Sequence, residues 1–143
     1  MTGDRTFVDT NVLVYAHDTK AGPRHEAAQV LVQRLWAERN GVVSVQVLQE
    51  LHVTVTAKAK LALAPAKARE LIRTYAAWLF GPTELQHVVR ASELQETEGL
   101  SFWDALIITT AAASGATVIA SEDLNHGQVI AGVRVEDPFR RTK

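Results

Sequence analysis

Between Ala105 and Ser121 the chain carries no charged side chain. A run of that length approaches a bilayer crossing, so the first decision is whether it spans a membrane or fills a core. Threonines and serines dilute it, and Ser114-Gly115 interrupts it where a helix ends and the β-branched stretch Thr117-Val118-Ile119 begins. The run therefore reads as a buried helix followed by a buried strand, with no membrane span. A strand hidden on both faces and fed by a helix belongs in a parallel sheet covered by helices.

The rest of the chain repeats this alternation. Thr6-Phe7-Val8 is a short inner strand, and Val12 to Ala16 begins a helix just after it. Apolar positions Ala27, Ala28, Leu31 and Leu35 recur at helical spacing from Arg24 to Asn40, with Gly41 as the stop. Val42-Val43-Ser44 is a second strand. Val47, Leu48, Leu51 and Val55 share one helical stripe over Val45 to Thr56, and the Ala/Lys/Leu-rich tail continues that helix to Leu63. Pro65 opens another helix, with Ala68, Leu71, Ile72, Tyr75 and Leu79 on one side, ending before Gly81-Pro82. Leu85 to Val89 is the third strand, and a short helix from Ala91 to Thr97 stops at Gly99. Ser101 caps the long apolar helix with Asp104 at capping-box spacing, Thr117 to Ala120 is the fourth strand, and Val133 to Val135 adds a fifth. The expected architecture is α/β, three layers (α/β/α) around a mostly parallel sheet of four to five short strands.

A chain of 143 residues that is 47% hydrophobic fits one domain, residues 1–143. Without cysteine, disulfides, thiolate nucleophiles and Cys-held zinc are excluded, and an acid near the N-terminus opposes a signal peptide, so the cytoplasm is expected. The five histidines show no HExxH or comparable spacing, which argues against zinc hydrolysis and leaves most of them at the surface, with His126 close in sequence to the Glu122-Asp123 pair, where it could touch substrate. A net charge of -1 is unusual for a nucleic-acid binder; if four of the 16 acids were gathered on a metal, the 15 basic residues would outnumber the remaining 12, which is compatible with RNA binding without arguing for it. Lys58/Lys60 and Arg140/Arg141 are solvated charges or phosphate contacts. Trp36, Trp78 and Trp103 are core or interface anchors or base-stacking surfaces.

In open parallel sheets, ligands gather beyond the carboxyl ends of the strands. Asp9 ends the first strand and Glu122-Asp123 follows the fourth, so these acids share one edge. Glu50 lies at the margin of a buried helical stripe, where an acid needs a cation or hydrogen bonds. Asp104, read by chain order alone, faces the opposite edge. Carboxylates gathered in one place repel one another unless a cation offsets their charge. All-oxygen ligation suits Mg²⁺ or Mn²⁺, and two such ions about 4 Å apart generate a hydroxide nucleophile and neutralise charge at phosphorus.

Four stretches resemble the PIN-domain nucleases, in particular the toxin component of VapBC toxin–antitoxin pairs. They are Asp9-Thr-Asn-Val-Leu-Val-Tyr-Ala, Val45-Gln-Val-Leu-Gln-Glu50-Leu, Ser101-Phe-Trp-Asp104-Ala-Leu-Ile-Ile and Ser121-Glu-Asp123-Leu-Asn-His-Gly127. The resemblance covers nearly the whole chain in the expected order. It implies catalytic and metal-holding roles for Asp9, Glu50, Asp104 and Asp123, polar support from Asn11 and Ser121, and an outer place for Glu122. It implies one or two Mg²⁺ or Mn²⁺ ions, an RNA substrate cut to leave a 5′ phosphate and a 3′ hydroxyl, an antitoxin partner and a homodimer. It also implies that the helix bearing Asp104 reaches the active-site edge.

Each acid has a structural alternative: Asp9 and Asp104 as helix caps, Asp123 as a turn former, Glu50 in an ion pair. Two other functions compete. A PIN module that binds RNA or protein without cutting is opposed by the intact quartet, and a receiver or phosphatase-like domain needs a late lysine, whereas none lies between Lys67 and Lys143. An apolar surplus on the helices around Val47 to Leu63 and Ala68 to Phe80, including Trp78 and Phe80, predicts a groove for a partner helix. An arginine from that partner could enter the anionic pocket.

Overall fold

The computed structural model describes residues 4–140. The opening Met1 to Gly3 and the basic Arg141 lie outside the described residues. The strands are β1 (Thr6–Val8), β2 (Gly41–Val42), β3 (Val118–Ala120), β4 (Val129–Ile130) and β5 (Val133–Glu136). The helices are α1 (Thr10–His17), α2 (Pro23–Glu38), α3 (Val45–Thr56), α4 (Pro65–Tyr75), α5 (Leu85–Glu98) and α6 (Phe102–Ala113), with a 3₁₀ turn at Ala76–Trp78. The sheet runs β2-β1-β3-β5-β4, parallel except for the antiparallel β4–β5 pair. Helices cover it as a three-layer α/β/α fold.

The sheet centre is where the sequence is most apolar. Phe7 pairs with Val42 on one side and Ile119 on the other, and Ile119 pairs with Val135; all four are buried. Each such side chain contributes about 1.5–3 kcal/mol relative to exposure. The uncharged run divides as its Ser-Gly break requires. Ala105 to Ala111 is buried on every side of α6, so no amphipathic stripe exists there, and the strand that follows is buried too. Among the described residues no helix is long and apolar enough to cross a membrane.

Several local readings change. Leu85 to Val89 is not a strand but the first turns of α5, which absorbs the short helix expected from Ala91. Glu84 and His87 form a reciprocal cap at its start, and His87, Ala91 and Leu94 face inward while Leu85, Val88 and Val89 are exposed. A helical stripe thus overrides two β-branched valines. α3 ends at Thr56 rather than Leu63, because the next residues close turns and Ala62 takes a left-handed φ of 51°. Arg39, not Gly41, ends α2 with φ 58°. Gly41 instead begins β2, where a Cβ would overlap the Trp78 indole.

Leu79 leaves its expected helix to bridge Val43 as extended backbone, and Ser44 caps α3 rather than extending β2. The expected strand at Val133 to Val135 is β5, whereas β4 has no counterpart among the expected strands; the loop joining them, Ala131-Gly132, has positive φ at both residues, the turn whose twist matches paired strands.

Candidate active site

Parallel register brings the first two acids together. Val8 pairs with Ala120 and Ala120 with Glu136, so the ladder's next row holds Asp9, Ser121 and Asp137. The Asp9 N–H donates to Ala120 O at 3.0 Å, and Ser121 N–H to Glu136 O at 3.0 Å. Asp9 is thereby pinned at the end of β1 as the N-cap of α1. One carboxylate oxygen, Oδ1, accepts from the Thr10 N–H at 2.8 Å, and the other, Oδ2, accepts from the Ser121 hydroxyl at 2.8 Å. Ser121 Oγ in turn accepts from the Asp123 N–H at 3.2 Å, and Asn11 Nδ2 donates to Asp123 Oδ2 at 2.9 Å.

Glu50 arrives from α3. This helix starts at the carboxyl end of β2, where Ser44 Oγ caps it by accepting from the Val47 N–H. Thr10 Oγ1 donates to Glu50 Oε1 at 2.7 Å, and Gln46, one helical turn before Glu50, donates to Oε2 at 3.3 Å. No arginine is involved in these two bonds. Thr10 and Gln46 were not singled out in the sequence; Gln46 carries the i, i+4 spacing to Glu50, which is a usable signal.

Asp104 also reaches this edge, which corrects the placement by chain order. A helix connected to the next parallel strand by a short turn runs antiparallel to it. α6 is 12 residues long, about 18 Å at 1.5 Å per residue, so its start lies back at the strands' carboxyl ends. The Ser101 hydroxyl caps α6 by accepting from the Asp104 N–H at 3.1 Å, a bond made by the Asp104 backbone and not by its carboxylate.

Asp9, Glu50, Asp104 and Asp123 all line one cavity of about 400 Å³, with Asn11 beside them. Glu122 points elsewhere. Its Oε2 accepts from Arg24 Nε and Nη2 at 2.9 and 2.6 Å, and that guanidinium stands over the rings of Tyr15 and Phe139. Trp36 and Trp78 pack against each other and Tyr75, so Trp78 belongs to the core rather than to an exposed surplus. His126 accepts from the Asp137 N–H, and His87 is buried in its cap.

The electrostatics are strained. Burial pushes the Asp9 carboxyl up from 3.8 to about 6; the Ser121 and Thr10 hydrogen bonds oppose the shift, while Asp123 and Glu50 add to it. Burial also raises Asp104, against the Ser101 hydrogen bond and with help from Asp123 and Glu50. Among the described residues, none of the four forms an ion pair with lysine, arginine or histidine.

The residues present fit a hard divalent cation. Their donors are all oxygen, their charges are mutually repulsive, and two buried amide oxygens beside them, Asn11 Oδ1 and Gln46 Oε1, lack hydrogen-bond partners. Among the described residues no group of three or more His, Cys, Asp or Glu side chains is placed to hold an ion outright. Asp9 is the most buried of the four acids and Asp123 the most exposed.

A family model described as the PIN domain matches residues 6–130. No curated protein sequence matches. Solved structures do resemble the chain. VapC20 of Mycobacterium tuberculosis, described as a toxin cleaving the sarcin–ricin loop, has a TM-score of 0.61 at 21% identity, over 82% of this chain and 89% of that one. VapBC2 of Rickettsia felis, bound to a fragment of its promoter DNA, has a TM-score of 0.57 at 19% identity, over 92% and 96%. FitAcB of Neisseria gonorrhoeae has a TM-score of 0.58 at 16% identity, over 94% and 99%.

Proposed function

The chain belongs to the PIN-domain family, and from that premise we propose that it is a Mg²⁺- or Mn²⁺-dependent endoribonuclease, the toxin of a toxin–antitoxin pair. The observation that carries this reading is the cavity itself: four carboxylates from separate chain segments, none of them held in an ion pair among the described residues. Asp9, Glu50, Asp104 and Asp123 would hold one or two ions. When bound, such an ion activates water and offsets the charge that develops at phosphorus.

The chain's own groups do the positioning. Ser121 fixes the Asp9 carboxylate and the Asp123 backbone together, Asn11 orients Asp123, and Thr10 with Gln46 orients Glu50. Such supports matter because ligand orientation sets both affinity and geometry. Glu122, neutralised by Arg24, lies outside this set.

An antitoxin partner is supported by the likeness to the VapBC2 and FitAcB toxin–antitoxin complexes and by a second surface. Val45, Leu48, Val53 and Ile72 line an almost wholly apolar groove between α3 and α4, and Val53 is 68% exposed there. An amphipathic partner helix fits such a groove. A homodimer and a cytoplasmic setting complete the reading.

The test is to incubate the purified chain with RNA and Mg²⁺ or Mn²⁺, then characterise product ends, while a parallel culture expresses the chain with and without its genomic neighbour. Expected are 5′-phosphate and 3′-hydroxyl ends, with growth arrest relieved by a copurifying neighbour. RNA bound but left intact under every metal would replace the reading with a non-cutting PIN module; cutting without toxicity or a partner would remove only the toxin assignment.

A further inference from the structure

Trp103 stands apart from the other two tryptophans. Trp36 and Trp78 have ring centroids 4.5 Å apart and both pack on Tyr75, whereas Trp103 is 62% exposed. Its position is nevertheless fixed. It sits in the first turn of α6 beside Asp104, its indole meets Phe102 edge-on at 5.2 Å, and its carbonyl accepts from Gln46 Nε2 at 3.4 Å. Gln46 is 8% exposed and also donates to Glu50, while its own Oε1 has no partner. The same glutamine thus ties the indole's backbone to one of the cavity carboxylates.

Trp103 is also one of the residues that line the cavity, together with Lys60, which lies in the turns after α3 and forms no ion pair among the described residues. An exposed aromatic face next to a site for phosphodiesters, with a free ammonium on the same cavity, is the pairing used to hold single strands: bases stack on the ring and the cation meets the backbone. In a duplex both faces of an internal base are already covered by its neighbours. A ring at the cavity lip therefore selects a strand whose base is free.

We propose that Trp103 is the stacking platform for an unpaired base next to the phosphodiester bound at the carboxylates, and that Lys60 contacts a backbone phosphate across the cavity. This deepens the nuclease reading and rests on it.

The test compares the wild-type chain with Trp103→Ala, Trp103→Phe and Lys60→Gln, using a short oligoribonucleotide free of secondary structure and the same strand annealed to its complement. Cleavage kinetics in Mg²⁺ give KM and kcat, and stopped-flow indole fluorescence reads binding before turnover. Expected for Trp103→Ala is a rise in KM of roughly 5- to 150-fold, the span of one base stack, with a smaller fall in kcat; Phe recovers most of the loss. Lys60→Gln makes the salt dependence of binding shallower by about 0.7 in log–log slope. The unpaired strand quenches wild-type fluorescence and not that of Trp103→Ala, and the annealed strand is cut poorly.

Unchanged KM in Trp103→Ala with cleavage intact, or equal cutting of the duplex, overturns the stacking role and leaves the nuclease standing. Quenching by a copurified protein partner but not by the strand overturns it too, making Trp103 a protein contact. If no variant cuts RNA with any metal, the nuclease reading falls, and the quench decides the platform by itself: a strand-specific signal retains it and its absence removes it.

Discussion

Glu122 and Asp123 are adjacent in the chain, yet Glu122 turns to the Arg24 guanidinium on the outer rim while Asp123 turns into a cavity shared with three other carboxylates. On the rim, the charge is neutralised by the protein and braced by two aromatic rings. In the cavity it is not neutralised, and the surrounding groups instead hold the acids in place through hydroxyls and amides. An acid finished with an arginine beside a neighbour left without an ion pair supports the proposal that the second site takes a cation from outside. The difference separates a structural acid from a candidate ligand, which their sequence positions alone do not.

Substitution should widen this contrast. Losing an outer support of a metal site typically costs 10- to 100-fold, so losing a direct ligand through Asp123→Asn should lower RNA cleavage by about 100-fold or more. Glu122→Gln should stay within about threefold. Initial rates under saturating Mg²⁺ check both, and equal losses would erase the distinction drawn between rim and cavity.

The next effect concerns the metal-free protein. Asp9 has a folded pKa of about 6 against 3.8 unfolded, so between those values the unfolded chain holds fewer protons and stability falls as pH rises. The loss, complete above the folded pKa, is about 3 kcal/mol at 1.36 kcal/mol per pKa unit. Asp9→Asn should therefore be more stable than wild type at pH 7.5 in EDTA and lose that advantage near pH 3. Urea unfolding at both pH values measures it, and a pH-independent difference would show that Asp9 is not under electrostatic strain.

Ser121→Ala leaves a buried Asp9 oxygen without its donor and should cost about 1–3 kcal/mol in the same assay, more at pH 7.5 than at pH 3 because the charged carboxylate needs the bond most. Arg24→Gln should have the smallest effect. That ion pair is partly exposed and screened by solvent, so only a small loss of stability is expected, with little change in cleavage. A large cleavage loss there would place the rim inside the site.

Much of the sheet was legible because its strands are short apolar runs with polar residues at their ends, and Asp9 follows directly from β1 running into a capped helix. α5 was misread in its first turns because Val88-Val89 favours a strand by propensity, while its inward stripe is carried by His87, Ala91 and Leu94. The placement of Asp104 was legible in principle, since helix direction follows from the short turn before β3. The supports were less so. Thr10 reaches Glu50 across 40 positions of sequence and Asn11 reaches Asp123 across 112, contacts that exist only once α1, α3 and the β3 edge are assembled. Lys60 and Trp103 likewise share a wall only through the fold.

The claim that these carboxylates serve a divalent ion is tested most directly by RNA cleavage in EDTA, after restoring Mg²⁺ or Mn²⁺, and in Asp9→Asn verified as folded. The expected result is no cleavage in EDTA, recovery with either metal, and none from Asp9→Asn under any condition; undiminished cleavage in EDTA or by the folded variant would contradict it.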